Sequence, residues 1–296
     1  MNQLLYDIIT TIGAGPAAAW LALSQKRRPL LARFSAPNVA SAVSPIWVHA
    51  CSVGELGVAR PVIEALLVRH SDTPVVLTVS TRSGWEMARQ LNLPIALAWF
   101  PVDQRAVVSR FFYRVRPRVL VLMETEIWPN VLREAQRTNV PVLVLNGRIS
   151  DKHFARYQRF PNFFRAVFSR ITAAGVQREQ YANRFNTLGV DRARITITGN
   201  IKFDNLTTEI NAPALESLRN ACGIPDNAPV IVFGSTRPGD EMLAAKCWQQ
   251  WKTLHPELRM VVAPRHPHRL GEALAPFTSL SASETRDSTF SRGGAS

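Results

Sequence analysis

Val119-Leu-Val-Leu-Met-Glu-Thr-Glu-Ile-Trp-Pro-Asn130 holds the pattern that decides the fold. Its first five residues form a short apolar run of strand type, and Pro129 marks the start of a helix. The same unit repeats on either side. Upstream, Ile46 to Cys51 reads as a strand with a helix over Val58 to Arg69. Pro74 to Ser80 is a strand with a helix over Ser83 to Leu91, and Ile95 to Phe100 is a strand with a helix from about Asp103. Downstream, Val142 to Asn146 is a strand followed by one long aromatic-rich helix from Lys152 to Phe168. Ile171 to Val176, Glu179 to Leu188 and Arg194 to Thr198 complete a strand–helix–strand series. Strands alternating with helices predict an α/β fold, a parallel sheet covered by helices on both faces. Ligands bind such sheets beyond the carboxyl ends of the strands.

Asn205 to Pro213 reads as a linker into a second α/β unit. That unit shows a strand at Val230 to Gly234, a helix at Asp240 to Leu254 and a strand at Arg259 to Ala263. After Leu274 the periodicity fades, and 277–296 is a tail rich in Ser, Thr and Gly that lacks the apolar content to fold alone. A parallel sheet of two strands is expected to be incomplete.

The 296 residues suit two α/β domains, and at 46% hydrophobic and 19% charged the chain can bury a core. Lys and Arg number 35 against 22 Asp and Glu, a formal charge of +13 that predicts an anionic partner. The basic residues are scattered, often beside aromatics, as in Arg110-Phe-Phe-Tyr-Arg114. No recognition-helix, RNP or zinc-finger signature is present, so nucleic acid is not the expected partner. The three cysteines, Cys51, Cys222 and Cys247, have no metal-site spacing and fit a reducing compartment. Leu4 to Leu23 is apolar and about long enough to cross a bilayer, with Lys26-Arg27-Arg28 directly after it. This predicts membrane attachment, spanning or lying flat, with the remaining chain in the cytoplasm.

Chemistry-bearing residues gather where strands end. Ser52-Val-Gly54-Glu55 follows the first strand: Gly54 lets a ligand approach the backbone, and Glu55 could take a proton from a hydroxyl or serve only the helix dipole. Glu124 and Glu126, beside Trp128, could orient a sugar or simply favour a helix start. Arg148 could hold a carboxylate or phosphate, or form a surface ion pair. In the second unit, Gly234-Ser235-Thr236-Arg-Pro-Gly-Asp-Glu241 resembles an anion cradle or a capped helix start, and Arg265-His266 adds basic groups. Neither the dinucleotide nor the Walker pattern occurs.

Together these stretches resemble the Kdo (3-deoxy-D-manno-octulosonic acid) transferases of lipopolysaccharide synthesis, inverting glycosyltransferases of the two-domain GT-B type. The matching segments are Trp47-Val-His-Ala-Cys-Ser-Val-Gly-Glu55, Phe100-Pro-Val-Asp103, Glu124-Thr-Glu-Ile-Trp-Pro-Asn130, Leu145-Asn-Gly-Arg-Ile-Ser150, Thr198-Gly-Asn-Ile-Lys-Phe-Asp204, Gly234 to Glu241 and Ala263-Pro-Arg-His-Pro267. They run in family order from about residue 3 to about residue 270. The resemblance implies a GT-B fold with a complete N-terminal Rossmann-like domain and an incomplete second one. It implies a membrane-attachment segment at 1–28, an acceptor-binding domain at 29–204, a partial donor-binding domain at 205–276 and a non-family tail at 277–296.

The implied activity is transfer of Kdo from CMP-Kdo to a lipid A precursor at the cytoplasmic face of the bacterial inner membrane. The donor is a substrate, and neither a cofactor nor a metal is expected. Glu55 takes the place of the catalytic base. Ser52, Gly54, Glu124, Glu126 and Arg148 take acceptor-side positions, and Ser235, Thr236, Arg265 and His266 take donor-side positions. The family continues past the Pro-Arg-His segment with a donor-contacting motif that this sequence lacks. An acceptor-binding module without activity is therefore the alternative expectation. Oligomeric state is not legible.

Overall fold

The computed structural model describes residues 2–35, 37, 39, 44–204 and 211–278. Of the linker read at Asn205 to Pro213, residues 205–210 lie outside the described residues, and Ala212 and Pro213 already open a helix that Asn211 caps; of the tail read at 277–296, residues 279–296 lie outside them. The chain divides into two compact units, Met1–Leu206 and Thr207–Ser296.

The first unit opens with helix α1, Gln3–Ala22, whose N-cap Asn2 accepts a hydrogen bond from the Leu5 N–H. A 3-10 turn, Arg28–Phe34, follows. Then strands and helices alternate: β1 Ile46–His49, α2 Val53–Arg69, β2 Val75–Val79, α3 Arg82–Arg89, β3 Ala96–Trp99, α4 Arg105–Val115, β4 Val119–Met123 and α5 Pro129–Arg137. The series continues with β5 Val142–Gly147, α6 Asp151–Gln158, α7 Pro161–Phe168, β6 Ala173–Val176, α8 Glu179–Thr187 and β7 Ile195–Ile197.

The seven strands form one sheet in the order β3-β2-β1-β4-β5-β6-β7, with parallel pairing throughout. β1 and β2 are buried along their whole length, as a sheet covered on both faces requires. The period of two along β1 sends Trp47 into one core cluster with Phe100, Phe111 and Phe168, while Ile46 and Val48 enter the other with Leu56, Ile63 and Leu77. The strand order turns back at the β1–β4 pair, so the switch point of this sheet lies beyond His49 and Met123.

Two helices depart from the sequence reading. α2 begins at Val53, not Val58, so Glu55 lies in its first turn. The expected single helix over Lys152–Phe168 is two, broken at Phe160–Pro161. Pro161 has no N–H for a helical bond and disfavours helical geometry at Phe160, whose ψ is 64°.

The second unit holds α9 Ala212–Ala221, β8 Val230–Thr236, α10 Asp240–Leu254, β9 Arg259–Pro264 and α11 Leu270–Thr278. β8 and β9 pair in parallel, and among the described residues they make a two-stranded sheet. α11 carries helical order two residues into the segment read as tail, to Thr278.

Candidate active site

The turn after β1 builds one wall of the site at the switch point. Ser52 is the N-cap of α2, but its hydroxyl makes no cap bond to the backbone. It donates instead to Glu55 Oε1 at 3.3 Å, while Glu55 Oε2 accepts the Cys51 N–H at 2.7 Å. This is a variant of the capping box, in which the third helical residue reaches back to satisfy an N–H before the helix. The local bond therefore serves the fold and also fixes the Glu55 carboxylate at the strand tip. Gly54, one residue earlier, is exposed.

The turn after β4 builds the opposite wall. Glu124 sits at φ +55°, a left-handed conformation uncommon for a residue with a side chain, and its N–H donates to the Leu145 carbonyl at 2.9 Å. Glu126 Oε2 accepts from Trp128 Nε1 at 3.0 Å and lies 3.6 Å from His49 Nε2. Ligand atoms of Cys51, Glu55 and Glu126 all lie within 4.8 Å of one another.

The two carboxylates have different proton affinities. Burial pushes Glu55 up to about 7, and the Glu126 and Glu124 charges add to this against the Cys51 and Ser52 hydrogen bonds. Burial also acts to raise Glu126, but the His49 ring, the Trp128 N–H and the Cys51 thiol outweigh it and hold Glu126 below the usual carboxylate range. Burial holds His49 below its usual value, so the ring is neutral at neutral pH. Burial and the two carboxylates push the Cys51 thiol up to about 12. Cys51, Glu55 and Glu126 are close enough that together they could hold a metal ion, which would bind the thiol as its thiolate. What the pair suits is proton transfer at neutral pH, with Glu55 as the group that exchanges the proton and Glu126 as the fixed charge.

β5 ends beside them. Exposed Arg148 approaches Glu124 at 4.0 Å, a loose ion pair. Asn146, buried at φ +56°, accepts the Ile201 N–H at 3.2 Å and so ties the Thr198–Asp204 segment to the strand end. Ser52, Gly54, Glu55, Glu124, Glu126 and Arg148 thus all stand at the carboxyl ends of β1, β4 and β5.

The Phe100-Pro-Val-Asp103 segment has a structural task. Buried Asp103 accepts the N–H groups of Asn130 and Val131 at 3.0 and 2.9 Å, capping α5, and the Tyr6 hydroxyl at 2.7 Å. It fastens α1 and α5 to the sheet.

In the second unit, Thr236 is buried and its hydroxyl donates to Glu241 Oε1 at 2.8 Å. Arg269 bonds the Thr236 carbonyl at 3.2 Å and pairs with Glu241 at 3.3 Å. Ser235 is exposed at φ +61° beside Thr236, and Arg265 and His266 are exposed after β9. Ser235, Arg265 and His266 are open to a ligand, whereas the Thr236 side chain is engaged inward.

His49, Cys51 and Arg33 were not picked out as site residues from the sequence. Arg33 donates Nε–H to the Phe100 carbonyl at 3.0 Å, and burial lowers its pKa while Cys51 and Glu126 raise it. A histidine closing a fully buried strand was the available signal for His49. Nothing in the sequence places Arg33 here, because a turn far upstream supplies it.

A sequence-family profile described as 3-deoxy-D-manno-octulosonic-acid transferase (kdotransferase) matches residues 25–205. The chain is 28% identical over 246 residues to the 3-deoxy-D-manno-octulosonic acid transferase of Haemophilus influenzae, covering 82% of this chain and 57% of that protein. To the enzyme of the same name from Bordetella pertussis it is 31% identical over 252 residues, covering 82% and 57%. The chain thus spans about half the length of the curated relatives it matches. Among solved structures, UDP-GlcNAc 2-epimerase from Neisseria meningitidis bound to UDP-GlcNAc aligns with a TM-score of 0.56 at 15% identity, over 79% of this chain and 69% of that one. That likeness bears on the fold alone, an α/β architecture with the N-terminal Rossmann-like domain of GT-B proteins. The profile match spans more than half of the residues and contains both walls of the site, and the chain belongs to the 3-deoxy-D-manno-octulosonic acid transferase family.

Proposed function

We propose that this chain transfers Kdo from CMP-Kdo to a lipid A precursor (lipid IVA), with inversion and without a metal. Glu55 takes the proton from an acceptor hydroxyl as that oxygen attacks the anomeric carbon of Kdo. The bond from that carbon to the CMP phosphate oxygen breaks, and CMP leaves with the bonding pair. Ser52, Gly54, Glu124, Glu126 and Arg148 serve the acceptor side. Ser235, Arg265 and His266 serve the donor, where positive charge and N–H donors offset the charge on the leaving phosphate, and Thr236 supports their turn.

One observation carries this reading: a half-buried carboxyl at the switch point, held by Cys51 and Ser52, with its proton affinity raised to about 7. Incubating the chain with CMP-Kdo and tetra-acylated lipid A precursor, and measuring CMP release and Kdo on the lipid, tests it. Absence of transfer, where a full-length relative transfers under the same conditions, contradicts the activity for this chain.

A second reading is an acceptor-binding module without transfer. Ser52, Gly54, Glu124, Glu126 and Arg148, the residues given to the acceptor side, all lie in the first unit, which favours it. Calorimetry that finds lipid A precursor binding but no CMP-Kdo binding supports this reading over the first.

The site of action in this proposal is the cytoplasmic face of the inner membrane. α1 exposes Leu4, Leu5, Ile8, Ile9, Ile12 and Trp20, and Lys26, Arg27 and Arg28 follow it. Its first half is fastened to the sheet unit by Tyr6–Asp103 and by Asp7–Arg133 at 2.8 Å. A helix so held lies along the interface, apolar side in the lipid and basic residues against anionic headgroups.

A further inference from the structure

His49 is wholly buried at the end of β1, its ring stacked on Phe100 with centroids 3.7 Å apart. Nδ1 lies 3.0 Å from the Thr78 carbonyl, which can only accept. The Thr78 hydroxyl accepts from Trp47 Nε1 at 2.8 Å and donates to the Val48 carbonyl at 3.4 Å. The neutral ring therefore carries its one proton on Nδ1, and Nε2 is bare. That nitrogen is buried without a hydrogen-bond partner, and it faces Glu126 Oε2 at 3.6 Å. A lone pair thus meets a carboxylate. A positive charge between them makes the contact favourable, and a divalent ion supplies it with a bond to each atom.

The surroundings offer the rest of a coordination shell. The Cys51 thiol and the Glu55 and Glu126 carboxylates, all half-buried, bring ligand atoms within 4.8 Å of one another. Two ligands of one tetrahedral zinc ion stand about 3.4 Å apart when its bonds are about 2.1 Å. The Nε2–Oε2 spacing meets this, and small side-chain torsions at Cys51 and Glu55 close the remainder. An imidazole nitrogen, a thiolate and carboxylates suit zinc; magnesium and calcium take oxygen ligands. The outer partners also fit. Thr78 takes the Nδ1 proton, as a ligating histidine requires, and Trp128 Nε1 holds Glu126 Oε2 at 3.0 Å. Arg33 opposes a cation near Cys51 and Glu126, but two carboxylates and a thiolate outweigh it.

We propose that His49 Nε2, Cys51 Sγ and the Glu126 carboxylate, joined by Glu55, bind a zinc-class ion that blocks the base. On binding, the S–H bond of Cys51 gives way to an S–Zn bond, and the proton passes to solvent. Glu55, bonded to the ion, loses its basicity. Transfer itself uses the ion-free site. The blocking rests on Glu55 being the base; the binding does not.

The full chain with Cys222 and Cys247 replaced by Ser, stripped of metal by a chelator, tests this, because Cys51 is then its one thiol. Dialysis against zinc should load one ion per chain. Cobalt should give the near-ultraviolet charge-transfer band of a thiolate ligand, and Cys51→Ser should abolish it. His49→Phe, which keeps a ring against Phe100 without a ligand atom, should weaken zinc binding at least about tenfold, and E55Q likewise. A parent chain without the band, or His49→Phe binding as tightly as the parent, overturns the site. E55Q with the parent's affinity leaves Glu55 outside the shell and overturns the blocking. Should His49→Phe not fold, zinc X-ray absorption of the parent decides. A sulfur at about 2.3 Å together with imidazole scattering supports the site, and a shell lacking either overturns it. In transfer assays zinc should cut the parent's rate at least about tenfold, reversibly with chelator, and leave Cys51→Ser at its own zinc-free rate. Transfer that ignores bound zinc, or equal inhibition of Cys51→Ser, overturns the blocking. Native-rate transfer by E55Q without zinc would instead defeat the reading of Glu55 as base, with the parent's cobalt band intact.

Discussion

Glu55 on α2 and Glu126 after β4 bring carboxylate oxygens to within 4.8 Å of each other across the switch point of the sheet. Two negative charges this close in a half-buried place cannot both be comfortable, and the fold gives the ionised state to Glu126, which has the donors.

The first prediction concerns stability. Folding raises the Glu55 pKa from an ordinary carboxylate value to about 7, so the folded state favours the protonated form. Glu55 therefore costs nothing at pH 4, and its cost grows with pH until it levels off above about 7. E55Q, which keeps the shape without the charge, should match the native melting temperature near pH 4 and exceed it at pH 8. A difference independent of pH in calorimetric melts contradicts the shifted proton affinity.

The second concerns Asp103. Asp103→Ala leaves two backbone N–H groups of α5 and the Tyr6 hydroxyl without an acceptor. Stranded buried donors cost about 1–3 kcal/mol each, so the change should destabilise the unit by about 3 kcal/mol or more in denaturant unfolding. Tyr6→Phe should cost about 1 kcal/mol. Near-native stability of Asp103→Ala would refute the fastening role.

The third concerns the membrane. Replacing Leu5, Ile9 and Ile12 by Ser removes apolar area that the fold leaves exposed. Cosedimentation with anionic vesicles should drop several-fold with unfolding unchanged, at about 0.025 kcal/mol of binding lost per Å² of apolar surface. Undiminished binding in low and high salt places the attachment elsewhere.

The sheet was legible because its strands are apolar runs at regular spacing, and Val119–Met123 and Val230–Gly234 fall within or on the observed strands. Helix starts were less so. Val53-Gly54 looks like loop sequence, and a Glu55 side chain reaching back to the Cys51 N–H is what starts α2 there. Pro161 marks the break in the sequence itself, but the aromatic residues on both sides keep a helical period through it and predict a single helix. The candidate base was legible from its place after a strand, together with the family motif. Its electrostatic partner was not, because the pairing of β1 with β4, distant in sequence, is what sets His49 against Glu126. Asp103 shows the converse: a matched motif residue whose partners are helix N–H groups and Tyr6.

Whether Glu55 is the base of a Kdo transfer is tested most directly by a pH series of transfer rates for the native chain and E55Q. Lipid product is measured from CMP-Kdo and tetra-acylated lipid A precursor between about pH 5 and 9, spanning the expected midpoint. The native rate should climb as Glu55 ionises, with its midpoint about 7, and E55Q should be slower by about 10²–10⁴-fold at its plateau. Transfer by E55Q at the native rate, or a native profile flat through pH 7, would contradict it.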